Sequence, residues 1–180
     1  MKFNFLYLFV SLLVLNGCAS NGASPTQSIQ YTGNGTLAIK SIEFNKDAYI
    51  RKAVKQECNL IGKLTHFIEK SAATQYAHII SDSHPDTIPA DAQILTIEIE
   101  AVEGNAGGAW SGAKVVLING TLTKNGKVLG DFKARRYSGG GMFGGYKGTC
   151  AILGRCVRTL GSDVAKWLTH PTSKAMLGDL

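Results

Sequence analysis

The sequence predicts an α+β domain in which a mainly antiparallel sheet carries two helices packed on one face, in the order β-α-β-β-β-β-α. Three observations lead there. Residues 92–102 alternate strictly, with Leu95, Ile97, Ile99 and Ala101 on one side and Thr96, Glu98 and Glu100 on the other, the period-2 pattern of a strand with one wet face. Asn125-Gly126 between two apolar runs is the strongest short hairpin signal and favours a type I′ turn. Two segments instead repeat apolar residues every three or four positions, the mark of amphipathic helices.

Taken in order, residues 36–44 read as the first strand and residues 51–73 as the first helix, with Val54, Cys58, Ile61, Leu64, Ile68 and Ala72 along one side. Residues 76–81 and 92–102 are strands. A flexible connection around Trp110 leads to strands 113–124 and 127–138, flanking Asn125-Gly126. Asn119-Gly120 lies inside the first of these, and splitting the strand there leaves fragments too short, so a bulge is expected. The second helix spans 149–169, places Cys150, Leu153, Val157, Leu160, Val164 and Trp167 inward, and stops before Pro171.

Composition bounds the class. Of 180 residues, 44% are hydrophobic and 18% charged, with four prolines, which excludes wholesale disorder. After Met1-Lys2 comes a short apolar run to Leu15, suited to the central region of an export leader and too short for a spanning helix with ordinary flanks. It ends in Leu15-Asn16-Gly17-Cys18, which resembles the lipobox of bacterial lipoproteins. That resemblance implies a signal peptide over residues 1–17, cleavage before Cys18 and lipid on the Cys18 thiol. Ala19 is not the Asp that favours inner-membrane retention in such proteins, so the outer membrane, facing the periplasm, is the expected location. A plain secretory leader ending in a Cys is the alternative. Several acyl chains anchor firmly, because each buried CH₂ contributes about 0.8 kcal/mol. Residues 18–34, nearly free of hydrophobes, form a tether with a reach of about 20 Å. Residues 35–180 form one folded domain.

Cys58, Cys150 and Cys156 remain, and an oxidising compartment permits one bridge with one thiol left over. Cys58 and Cys150 both point inward, whereas Cys156 sits about 75° off its stripe. A Cys150–Cys156 bridge would span about 9 Å of helix rise, beyond disulfide reach. Cys58–Cys150 is therefore expected, and closing so long a loop contributes about 4.6 kcal/mol in the chain-entropy model. A catalytic Cys150 at the helix start is the alternative, but His66, His78, His84 and His170 show no informative spacing to it.

Gln56-Glu57-Cys58, the Gly-rich turn 139–148 and Cys150-Ala151-Ile152-Leu153-Gly154 resemble a group of uncharacterised proteobacterial lipoproteins. That likeness brings no established activity.

Charge is uneven. From Lys114 to Arg158 nine Lys and Arg face one acid, Asp131, while six acids and no Lys or Arg lie between Asp82 and Glu103. On the last strand Lys133, Arg135 and Tyr137 share the outer side, and Arg136 falls by parity on the inner side, where it needs a partner or a place near the strand end. A basic face can meet lipopolysaccharide phosphates, peptidoglycan carboxylates or an acidic envelope protein. The compartment argues against nucleic acid. The competing reading is a solvated face whose charges pair with Glu98 and Glu100.

The Gly-rich turn carries Met142, Phe143, Tyr146 and Lys147. Gly148 separates Lys147 from Thr149, so it is not a Walker A loop. It reads as a contact loop with Phe143 and Tyr146 as apolar anchors and Lys133, Arg135 and Lys147 attracting an anionic partner. Asp82-Ser83-His84-Pro85-Asp86 offers metal-ligand types without a second cluster, and turns use the same residues. Gly108 to Gly112 lacks the spacing of a nucleophile elbow. No cofactor or metal is called for. The reading is a non-catalytic binding or assembly module, with an envelope hydrolase or transferase, or a purely structural lipoprotein, as alternatives.

Overall fold

The computed structural model describes residues 28–81, 87–141 and 146–180. Six strands form one sheet: β1 (Thr36–Phe44), β2 (His78–Ser81), β3 (Gln93–Glu103), β4 (Lys114–Lys124), β5 (Lys127–Ser138) and β6 (Ala175–Gly178). Three helices accompany them: α1 (Lys52–Glu57), α2 (Leu60–Ala72) and α3 (Thr149–Leu168). The strand order is β2-β1-β3-β4-β5-β6. The long ladders β3–β4 and β4–β5 are antiparallel, whereas β2 and β3 flank β1 in parallel and β6 joins β5 in parallel. By paired length the sheet is mainly antiparallel, and the class is α+β as the sequence predicts.

The meander follows from local chemistry. Asn125 and Gly126 adopt φ of 51° and 72°, the left-handed pair that a type I′ turn requires. Helices α2 and α3 lie side by side and run the same way. Cys58 meets Cys150 at their starts, and Gln75 Nε2 donates to the Ala165 carbonyl (2.9 Å) toward their ends. A methyl placed on Gly161 would fall 2.6 Å from Phe67 Cβ and 2.9 Å from the Phe67 backbone, so glycine is what lets the helices close. Leu64, Ile68, Leu153, Val157 and Leu160 then bury against Leu37, Leu95, Ile99, Val116, Ile118 and Phe132. Each such aliphatic burial contributes about 1.5–3 kcal/mol.

Four expectations need correction. The helix expected over 51–73 is two helices, because Asn59 takes the left-handed conformation (φ 44°) and its side chain accepts from Gly62 N (3.3 Å). Asn tolerates that backbone and caps the new helix at once. No bulge occurs at Asn119-Gly120, which stay in register with both neighbours. Gly120 instead leaves room for the Phe132 ring, whose Cζ would lie 2.3 Å from an added Cβ. The irregularities fall on the partner strands, between Ile99 and Ala101 of β3 and opposite Leu122/Thr123 in β5. Cys156 is buried, at 1% exposure, since α2 and the sheet cover both flanks of the α3 stripe. Strand β6 was not expected.

The chain enters this body beside the end of α2, where Thr32, Gly33 and Asn34 donate backbone N–H groups to Ala73, Tyr76 and Gln75 carbonyls.

Candidate binding site

The parallel β1–β3 pairing and the antiparallel β3–β4–β5 meander bring three connections to one end of the sheet. They run from β1 to α1, from β3 to β4, and from β5 to α3. Each presents an aromatic residue to solvent: Tyr49 is 92% exposed, Trp110 86% and Tyr146 93%. The same three connections border a cleft of about 420 Å³, with Val54, Cys58, Ala106 and Ala151 in its wall and Arg51 and Glu57 among its charged lining residues; none of the three aromatic residues lines it. The first turn of α3 borders the same cleft, and its positive dipole end adds to Arg51 there.

This end is held by specific contacts. Gly108, at φ +56°, passes so close to the next connection that an added Cβ would sit 2.2 Å from the Lys147 carbonyl oxygen, so only glycine fits. Thr149 Oγ1 donates to the Asn105 carbonyl (2.8 Å). Lys114 is fully buried, and its ammonium donates to Ser111 Oγ (2.7 Å) and the Gly112 carbonyl (3.0 Å). It grips from beneath the 3-10 turn Gly108–Ser111 that displays Trp110. Lys147 Nζ (3.0 Å) and Arg155 Nη1 (2.7 Å) both donate to the Gly140 carbonyl, fixing the start of the Gly-rich connection to α3.

Cys58 and Cys150 form a disulfide beside the cleft. Cys150 therefore presents no thiolate. Burial pushes the Cys156 thiol up to about 11, and its Sγ lies 3.5 Å from the Lys114 carbonyl. Neither cysteine is poised as a nucleophile at neutral pH.

The basic residues of β5 are engaged. Lys133 Nζ lies 3.2 Å from Glu100 Oε2, and Glu100 also accepts from Asn119. Arg135 donates to the Asp179 backbone carbonyl. Arg136, the residue that parity sends inward, forks onto Asp163 (2.8 and 2.9 Å) and reaches Asp179 Oδ1 (2.8 Å). The Asp163 hydrogen bonds raise its pKa further above the usual guanidinium value. Thus Lys133 and Arg135 lie on the open sheet face, away from the helices, whereas Tyr146 and Lys147 belong to the loop end. Phe143, Cys18 and the Asp82–Asp86 segment lie outside the described residues.

Tyr49, Trp110, Arg51 and Lys114 were not singled out from sequence. The signals available were Trp110 among glycines and a Tyr just ahead of a helix; their convergence depends on strand pairing. Among the described residues, no group of three or more His, Cys, Asp or Glu side chains gathers as a metal site. None of the described helices is long and apolar enough to cross a membrane.

No protein-family model and no curated protein matches the sequence. Solved structures with a related course of chain include a Xanthomonas campestris protein of family DUF330 (11% identity, 78% of this chain, 91% of that chain, TM-score 0.47). A PelC dodecamer from Paraburkholderia phytofirmans is another (15% identity, 75% and 92%, TM-score 0.45). A minor lipoprotein from Acinetobacter baumannii is a third (9% identity, 77% and 92%, TM-score 0.37). No ligand, partner or activity is carried over from them.

Proposed function

We propose that this chain is a lipoprotein of the outer membrane, anchored through lipid on Cys18 and facing the periplasm, whose domain binds an envelope protein without catalysis. The Leu15–Cys18 pattern supports the anchor. One observation carries the binding reading: the three connections that border one apolar cleft each also carry an exposed aromatic residue. Tyr, Trp and Arg are the residues that most often dominate protein–protein binding energy, and Tyr49, Arg51, Trp110 and Tyr146 all lie in these connections. Lys147 follows Tyr146 in the same connection, and Phe143, outside the described residues, stays an anchor of this reading by sequence alone; Lys133 and Arg135 add an outer contribution on the sheet face. Cys150 in a disulfide weakens the thiol-hydrolase alternative.

The test is a photo-crosslinking residue at Tyr146 in living cells, with adducts identified by mass spectrometry. The expected result is one discrete protein adduct, lost in Trp110→Ala and absent when the probe sits at Lys127 on the opposite end of the sheet. A glycan adduct would replace the protein partner with peptidoglycan or lipopolysaccharide. Absence of any adduct from a correctly localised chain, or the same adduct from Lys127, would overturn the reading.

A further inference from the structure

We propose that the outer face of the α2–α3 layer is a docking surface for anionic phospholipid headgroups, on the leaflet that would receive the Cys18 lipid. The three helices carry seven cations (Lys52, Lys55, Lys63, Lys70, Arg155, Arg158, Lys166) against three carboxylates (Glu57, Glu69, Asp163). Two of those carboxylates are occupied: Asp163 holds Arg136, and Glu69 accepts from the Ser81 hydroxyl. Among the described residues the ion pairs within 4.0 Å involve Lys133 and Arg136, and none of the seven helical cations reaches a carboxylate.

The arrangement is a row. Lys63, Phe67 and Lys70 follow one another at i, i+4 and i+7 along α2. Across the seam Gly154 faces Lys63, and the Arg158 guanidinium lies 5.3 Å over the Phe67 ring. Ser71 and Ser162 meet further along (3.4 Å), with Lys166 beyond them on α3. A helix of this length runs about 30 Å. Lys63 Nζ donates to the Cys58 carbonyl (2.8 Å) and Arg155 to the Gly140 carbonyl, which leaves Lys70, Arg158 and Lys166 as the cations for a flat layer of phosphates, their stems lying on the protein surface. No pocket is needed.

Position argues the same way. The chain enters at the end of α2, and on the lipid-anchor reading the residues between Cys18 and Thr32 would give a reach of about 20 Å by flexible-linker scaling. Anchored there, the helical layer stays within reach of the bilayer at high effective concentration, so individually weak charge contacts add up. This proposal leans on the lipid-anchor reading for the tether and is independent of the loop-end reading.

The test uses the chain from residue 18 with Cys18→Ser, so that no acyl chain or leader contributes. Cosedimentation compares vesicles of phosphatidylethanolamine with phosphatidylglycerol against phosphatidylcholine alone. The chain should bind the anionic vesicles, release them as salt rises, and leave the neutral ones unbound. Each neutralised cation should weaken partitioning about fivefold. Replacing Lys63, Lys70, Arg158 and Lys166 together by Gln should therefore lower it at least a hundredfold. Should that variant fold poorly, Lys70→Gln with Lys166→Gln should still lower it about 25-fold. Lys40→Gln with Lys127→Gln, two exposed cations outside the helices, should match the parent. Equal binding to neutral vesicles, no binding to anionic ones, an unaffected helix variant or an equally weakened Lys40/Lys127 control would each overturn the proposal. A parent that ignores vesicles yet binds an acidic protein would transfer the surface to that partner and overturn it too.

Discussion

The two ends of α3 are secured in different ways. At its start the bridge from Cys150 to Cys58 adds a covalent link to the buried Ile152 and Leu153 and the Thr149–Asn105 hydrogen bond, beside glycine-rich connections and an open cleft. Toward its far end, side chains close the structure. The Trp167 ring meets Phe132 edge-on (centroids 4.8 Å apart), its Nε1 donates to the Thr172 carbonyl (3.2 Å), and Asp163 clamps Arg136 against β6. A surface left open forgoes the apolar burial that would otherwise stabilise it, and a covalent link compensates at small cost in area.

That contrast is tested first by removing the bridge. Cys58→Ala with Cys150→Ala should lower stability by about 4 kcal/mol, a fall in Tm of about 8–16 °C, read by thermal denaturation. Hydrogen exchange should rise first in α1 and the opening turn of α3. At the other end Arg136→Ala leaves two part-buried carboxylates without their cation and should cost about 2 kcal/mol, with faster exchange concentrated in β6. If this second loss exceeded the first, the ranking of the two ends would be reversed.

The narrowest expected effect, confined to alkaline pH, lies between them, at Cys156. Burial holds its thiol at about 11 against an ordinary 9.0, so the unfolded chain ionises first as pH rises. The stability this contributes is whole below pH 9 and is lost between about 9 and 11. Denaturant titrations of Cys156→Ala should show a flatter decline across that window. A residual slope is expected from Tyr76, whose phenol burial raises to about 12.

What the sequence made legible was local. The alternation of residues 93–99 and the Asn125-Gly126 turn carry their own geometry, and the strands they specify form as read. Helical stripes likewise show which side of α2 and α3 is inward. The break at Asn59 was hidden because Val54, Cys58 and Ile61 keep a helical rhythm across it. The four residues of β6 are too few to establish a period, and they become a strand only by pairing with Phe132–Arg135. Arg136 shows the limit clearly: parity demands a partner, yet Asp163 and Asp179 lie 27 and 43 residues away. The exposed aromatic end has the same origin, since Tyr49, Trp110 and Tyr146 are distant in sequence and share one end of the sheet only through strand order.

The burial of Cys156 also has a consequence for how the chain matures. An unfolded chain with Cys58, Cys150 and Cys156 can close any of three bridges, two of which enlist Cys156. Only the remaining one lets the Cys156 sulfur slide beneath β4 beside the Lys114 carbonyl. Misbridged chains are thereby denied the native core and keep an accessible thiol or a reducible bond for exchange. Folding would thereby favour the native bridge, since only that pairing leaves Cys156 free to be buried.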